Sequence, residues 1–204
     1  MPSYGTPDRE YGKRLAFCEP ADDGPIYMLN LMKYRDEADY GGTETGVSGR
    51  EADDRYSPVD VLERIGAQPV FMADVLSASE DWDRVAIVRY ATRRSFIEMQ
   101  SRTDFQDKHV HKEAGMDHTI VMGTLPVANL PGRVKPSKIL LEVWQGNAPA
   151  GDGIAFDVEG TIVGDGRKWT GARFSIVDGD VDVDVTGTSE HQRILLQPVL
   201  ERWT

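Results

Sequence analysis

The sequence predicts an α+β protein, in which a β-α-β-β-α-β unit at residues 25–123 precedes a mainly β region at 138–204. Apolar residues in the first region alternate with the period of two that is typical of strands. Capping patterns between those strands mark the starts of helices. Three prolines between residues 125 and 137 then separate this region from a tail of short apolar segments punctuated by Gly and Asp.

Two segments have the pattern of central strands. In residues 25–34 and 84–90, apolar side chains fall on both faces of the predicted strand, so both faces of the sheet should be covered. Helices cover one face in a chain of this size. The other face should meet a second sheet, either from a twin subunit or from the tail of this chain.

The helices follow from capping residues. Ser48 and Glu51 match a capping box, and the helix they predict is interrupted at Pro58 and ends at Gly66. Thr92 is expected to cap a second helical region, which continues through residues 104–114. The remaining two strands of the unit are predicted at residues 70–77 and 118–123.

The flanking segments have different patterns. Residues 1–24 are predicted to form an extended or loosely held arm, and the loop at 35–47 is long enough to indicate a function or a lid. Residues 124–137 have the composition of a linker. Tail strands are expected at residues 138–144, 154–163, 168–177, 181–186 and 194–203.

Composition excludes some classes of function. The net charge is -11, from 34 acidic and 23 basic residues, which argues against nucleic-acid binding. No apolar run has the ~20 residues of a membrane span, and the first residues lack the apolar core of a secretory signal. We therefore expect a cytoplasmic protein. Cys18 is the single cysteine and has no pattern of an activated thiol.

Four segments together resemble an uncharacterised bacterial family of the dimeric α+β barrel superfamily, over about residues 25–123. They are MLNLMKYR (28–35), SGREADDRY (48–56), WDRVAIVRYATRRSF (82–96) and TDFQDKHVHKEAGMDHTIVM (103–122). The resemblance implies a ferredoxin-like βαββαβ unit whose sheet packs on that of a twin subunit, enclosing a cleft. Relatives in the superfamily include cofactor-independent monooxygenases, lactone isomerases and haem enzymes.

Two polar residues of the predicted central strands are candidates for substrate binding. Asn30 lies within an apolar strand and should either line a cleft or pair with a neighbouring group. Arg89 shares a strand face with Val85 and Ile87, and its guanidinium should serve as an anion clamp or as the partner of Asp74.

Histidine and tyrosine supply the other candidates. His109 and His111 are the acid-base candidates, and His111 falls in the family-like pattern, although a solvated helix surface is the alternative for each. Tyr34 and Tyr56 flank the long loop and the first helix, where they can rim a pocket. The two histidines lack the spacing of a shared metal site, and no residue set calls for a cofactor.

These observations predict a homodimer with a cleft for a small organic molecule. Asn30, Arg89, Tyr34 and Tyr56 would bind the molecule, and His111 would act as the catalytic proton carrier. By analogy with the barrel enzymes, the function would be that of a cofactor-independent monooxygenase or isomerase. The alternative is a non-catalytic ligand-binding or scaffold protein.

Overall fold

A computed structural model describes residues 4–57, 59–76, 81–132, 138–177 and 187–203. The helices are α1 (Arg9–Ala16), α2 (Gly49–Tyr56), α3 (Val59–Arg64), α4 (Arg93–Gln100) and α5 (Thr103–Gly115). The strands are β1 (Thr6–Pro7), β2 (Ile26–Tyr34), β3 (Gln68–Val75), β4 (Arg84–Tyr90), β5 (Met116–Pro126), β6 (Lys138–Trp144), β7 (Ile154–Gly164), β8 (Gly171–Val177) and β9 (His191–Glu201). None of the helices in these ranges is long and apolar enough to cross a membrane.

Eight of the strands form one closed antiparallel barrel. Their order around the barrel is β7, β5, β2, β4, β3, β9, β6 and β8, and β8 closes the circle by pairing with β7. Strand β1 lies outside the circle and pairs with the end of β7. Closure leaves no free edge among the eight barrel strands, so their backbone groups are paired within one chain.

The predicted fold class is therefore wrong. The chain is not a ferredoxin-like unit of the dimeric α+β barrel type followed by a β-rich extension, and the resemblance to that superfamily is not borne out. The tail joins the same sheet, because β9 pairs with β3 along residues 71–75 and β7 pairs with β5 along residues 121–126. The physical reason is long-range hydrogen bonding at both edges of the first four strands, which leaves no marker in the local sequence.

The inside of the barrel is filled by aromatic and branched side chains. Phe71 stacks on Trp203 with ring centroids 5.0 Å apart, and Phe174 packs edge-on against Phe71 at 5.1 Å. Leu29 and Leu31 of β2 point into the same cluster and are fully buried. An eight-stranded barrel has an interior just wide enough for such side chains. The interior is thus a packed core formed by this chain alone.

The helices cover the outer face of the barrel around β2, β4 and β5. Ser48 and Thr92 cap α2 and α4 as predicted, each accepting a hydrogen bond from a backbone amide three residues on. Residues 1–24, predicted as an extended arm, contain α1, whose Tyr11 and Leu15 are completely buried beneath the same helical layer. The predicted strand at 181–186 lies outside the described residues.

Two glycines hold α2 against α5. A Cβ added at Gly49 would lie 2.4 Å from the carbonyl oxygens of Arg35 and Gly115, so only glycine permits this approach. Backbone hydrogen bonds from Gly49 to Arg35 and from Arg35 to Gly115 connect the same segments. This contact fixes the two helices whose side chains form the candidate site.

Candidate functional site

A cavity of about 1000 Å³ lies between the helices and the outer face of the barrel. Its floor comes from alternate residues of β2 and β4, including Met28, Asn30 and Ala86. Its walls come from α2, α3, α4 and α5 and from Tyr4 near the N-terminus. The volume is at the upper end of the ~300–1000 Å³ found for pockets that bind small molecules.

Lys112 of α5 is the most unusual residue of this cavity. Only 8% of its surface is exposed, and Nζ stands 5.4 Å from the ring centroid of Tyr56 and 5.8 Å from that of Tyr4. Among the residues that the structure describes, none forms a hydrogen bond or an ion pair with Nζ. Burial lowers the pKa of Lys112, and the more distant Asp53 opposes this shift.

The carboxylate that acts on the Lys112 charge, that of Asp53, is already engaged. Asp53 of α2 accepts a hydrogen bond of 2.6 Å from the hydroxyl of Tyr34, and its Oδ2 lies 3.2 Å from Nη1 of Arg84. Arg84 also contacts Asp54 and Asp74, so its charge is balanced by three carboxylates. Asp53 therefore has its own donors, and it leaves the Lys112 amine without a direct partner.

Tyr4 and His109 form a polar pair on the same wall. The Tyr4 hydroxyl is 3.0 Å from Nε2 of His109, which lies three residues before Lys112 on α5. Burial, with a smaller contribution from the Lys112 charge, lowers the pKa of His109 to about 4, so its imidazole is neutral near pH 7. Burial and Glu113 raise the pKa of Tyr4, which keeps its hydroxyl protonated.

This arrangement combines three properties of a reactive site. The cavity is mostly apolar, the amine of the buried Lys112 side chain has no counter-ion among the described residues, and a neutral imidazole with a protonated phenol stands on the same wall. The His109 Nδ1 atom is also buried without a hydrogen-bond partner. Such groups can hold a carbonyl or a carboxylate and exchange protons with it.

The structure separates Asn30 from Arg89. Asn30 lies on the cavity floor, where its side-chain amide donates to the carbonyl of Met28 at 2.9 Å. Arg89 pairs in register with Tyr27, which is three residues from Asn30 on β2. Because the separation is an odd number, Arg89 projects from the opposite face of the sheet to Asn30. It lines a smaller cavity of about 410 Å³ beside Trp203. The expected ion pair of Arg89 with Asp74 is wrong, because Asp74 contacts Arg84 and Arg50.

The remaining sequence candidates divide in the same way. Tyr56 lines the cavity beside Lys112. Tyr34 does not line it, but its hydroxyl donates a hydrogen bond to Asp53, which does. Burial raises the pKa values of both phenols. His111 lies away from the cavity, where its Nδ1 is 2.9 Å from the hydroxyl of Tyr40 in the long loop.

Lys112 was missed in the sequence because charged neighbours surround it in α5. A lysine within DKHVHKEAG has the appearance of a solvated helix surface. Its spacing was the available signal, since Phe105, His109 and Lys112 are separated by four and three residues and share one helix face. Phe105 marks that face as the buried one.

No protein-family model and no curated protein matches this chain. Among solved structures, the chain is similar to the methylated RPA0582 protein, with 27% identity and a TM-score of 0.50. That match covers 60% of this chain and 94% of the other. A second structure, RPA0582 from Rhodopseudomonas palustris, described as a protein of unknown function, has 28% identity and a TM-score of 0.49 and covers 59% and 95% of the two chains. Both matches leave part of this chain without a counterpart.

Proposed function

We propose that this chain binds a small organic molecule with a carbonyl or carboxylate group in the cavity between the helices and the barrel. The observation that carries the proposal is the buried amine of Lys112, which has two aromatic rings and no acidic partner beside it. A ligand oxygen placed at Nζ would supply the missing hydrogen-bond acceptor. The apolar floor around Met28 and Ala86 would hold the rest of the molecule.

The free-energy cost of burying the Lys112 ammonium favours a ligand-binding role over a structural one. Removing an ammonium group from water costs several kcal/mol, even after the protein relaxes. Two cation-π contacts at these distances return about 0.5–2 kcal/mol each. The arrangement therefore destabilises the empty protein, as is common where a group is kept ready for a ligand.

The experiment is thermal denaturation of the protein with a panel of small carboxylates, aldehydes and ketones. A ligand at a hundred times its dissociation constant adds ~2.7 kcal/mol of stability, which raises the Tm of a domain of this size by about 5–10 °C. Lys112→Met should abolish the shift. Ala86→Phe should reduce it by filling the cavity floor, and Lys108→Met, on the exposed side of the same helix, should leave it unchanged.

Two results would overturn the proposal. One is a panel in which no compound stabilises the protein. The other is a set of ligands that stabilise the Lys112→Met and Ala86→Phe variants as much as the original chain. The second result would place binding elsewhere, and the small cavity beside Arg89 would be the next site to vary.

The homodimer and the cytoplasmic location are also proposals. The sheet face expected to form the dimer contact is the barrel interior, so a dimer would have to use another surface. Sedimentation equilibrium separates a mass of 22.7 kDa from twice that value. For the cellular compartment, fractionation of cells that produce the chain is the corresponding measurement.

A further inference from the structure

The surroundings of Lys112 favour an uncharged amine, in contrast to three lysines that form ion pairs. Lys13, Lys33 and Lys108 each have a carboxylate oxygen within 3.1 Å, which stabilises their charged form. Lys112 has the faces of two phenol rings instead. A desolvated lysine in an apolar pocket is a better nucleophile than an exposed one, because a larger share of its amine is unprotonated at a given pH.

The charged and titratable groups around this amine are few. Asp53 approaches from α2 but is occupied by Tyr34 and Arg84. On α5 itself, the imidazole of His109 is neutral near pH 7. The Oε1 atom of Glu113 lies 3.9 Å from Nε2 of His109. None of these groups forms an ion pair that would hold the proton on Nζ.

We propose that Lys112 forms an imine with a small apolar aldehyde or ketone bound in the cavity. This proposal rests on the proposed function and names the ligand class more narrowly. The geometry that carries it is an amine in the cavity wall with no hydrogen-bond or ion-pair partner among the described residues, with the hydroxyl of Tyr4 and the imidazole of His109 on the same wall.

The chemistry balances without an oxidant or a reductant. The Nζ lone pair attacks the carbonyl carbon, the C=O π electrons move to oxygen, and that oxygen takes a proton, so that a carbinolamine forms when nitrogen releases one. The hydroxyl then takes a second proton and leaves as water while the nitrogen lone pair forms the C=N bond, and the iminium releases its N–H proton to give the imine. The hydroxyl of Tyr4 and Nε2 of His109, 3.0 Å apart on the same wall, are the groups that would pass these protons.

The experiment is reductive trapping near pH 6.5, with benzaldehyde or hexanal as the probe and cyanoborohydride as the reductant. Intact mass and peptide mapping should show a single added benzyl or hexyl group at Lys112, at least about tenfold in excess of Lys108. Lys112→Met and Lys112→Arg should remove this adduct. Lys108→Met should retain it, and Tyr4→Phe should slow its formation.

Benzyl alcohol and hexanol have the carbon skeletons of the two aldehydes but no carbonyl group, so they can bind in the cavity without forming an imine. They therefore separate this proposal from the proposed function. If the alcohols raise the Tm of the original chain more than that of Ala86→Phe while no adduct forms at Lys112, the imine is refuted and the binding cavity stands. If no adduct forms and neither the alcohols, the aldehydes nor any carboxylate or ketone of the panel raises the Tm, both proposals fail. Adducts confined to exposed lysines would also refute the imine.

Discussion

Replacing Lys112 by Met should stabilise the protein. The substitution keeps a long side chain in contact with Tyr4 and Tyr56 and removes the buried charge. The gain is the desolvation cost of the ammonium, several kcal/mol, and the loss is two cation-π contacts of about 0.5–2 kcal/mol each. We expect a net gain of about 1–3 kcal/mol at pH 7, measured by urea denaturation.

The gain should also depend on pH. A lysine in the unfolded chain has a pKa of ~10.4, and burial lowers that of Lys112 in the folded chain. Between the two pKa values the unfolded chain binds more protons, so the stability of the original protein rises with pH there. The advantage of Lys112→Met should therefore shrink as the pH is raised from neutrality towards 10.

The matched control is Lys108→Met on the same helix. Lys108 is a partly exposed partner of Asp60 at 2.6 Å, and its loss should cost no more than about 1 kcal/mol. A Lys112→Met variant that is less stable than the original protein at pH 7 would show that the buried charge is not destabilising. The lowered pKa of Lys112 would be refuted by a stability difference that stayed constant from pH 7 to 10.

Three further substitutions test the structure around the site. Tyr34→Phe removes the 2.6 Å hydrogen bond to Asp53 and should cost about 1.5–3 kcal/mol in urea denaturation; a cost below 0.5 kcal/mol would contradict the buried contact. Gly49→Ala should cost ~1–3 kcal/mol because its Cβ meets backbone oxygens at 2.4 Å, whereas Gly132→Ala, with open space around it, should be nearly neutral. Trp203→Ala should cost about 3–5 kcal/mol in a thermal scan, and a smaller effect would argue against its place in the barrel core.

Local patterns in the sequence predicted most of the individual elements. The period-two pattern located β2 and β4, and the side chains of Ser48 and Thr92 cap helices as expected. These features depend on residues close together in the chain. Closure of the barrel depends on pairing between β3 and β9, which are more than a hundred residues apart, and no local pattern records that contact.

The candidate site was harder to predict than the strands that form its floor. Asn30 and Tyr56 were selected from the sequence and do line the cavity. Arg89 and His111 lie away from it, the first because its position along β4 points it to the other face of the sheet. His109 was an acid-base candidate and lines the cavity, whereas Lys112 was not selected. The wall that they share depends on the glycine contact between α2 and α5, which no local pattern in the sequence marks.

Alternate residues of strand β2 face two different environments, the cavity and the barrel core. Met28, Asn30 and Met32 face the cavity, and Leu29 and Leu31 face the barrel core. Changes at even positions would therefore alter the shape and polarity presented to a ligand while the aromatic packing inside the barrel stayed intact. Under the proposed function, substitutions on one side of this strand would change which small molecule the cavity binds without changing the barrel core.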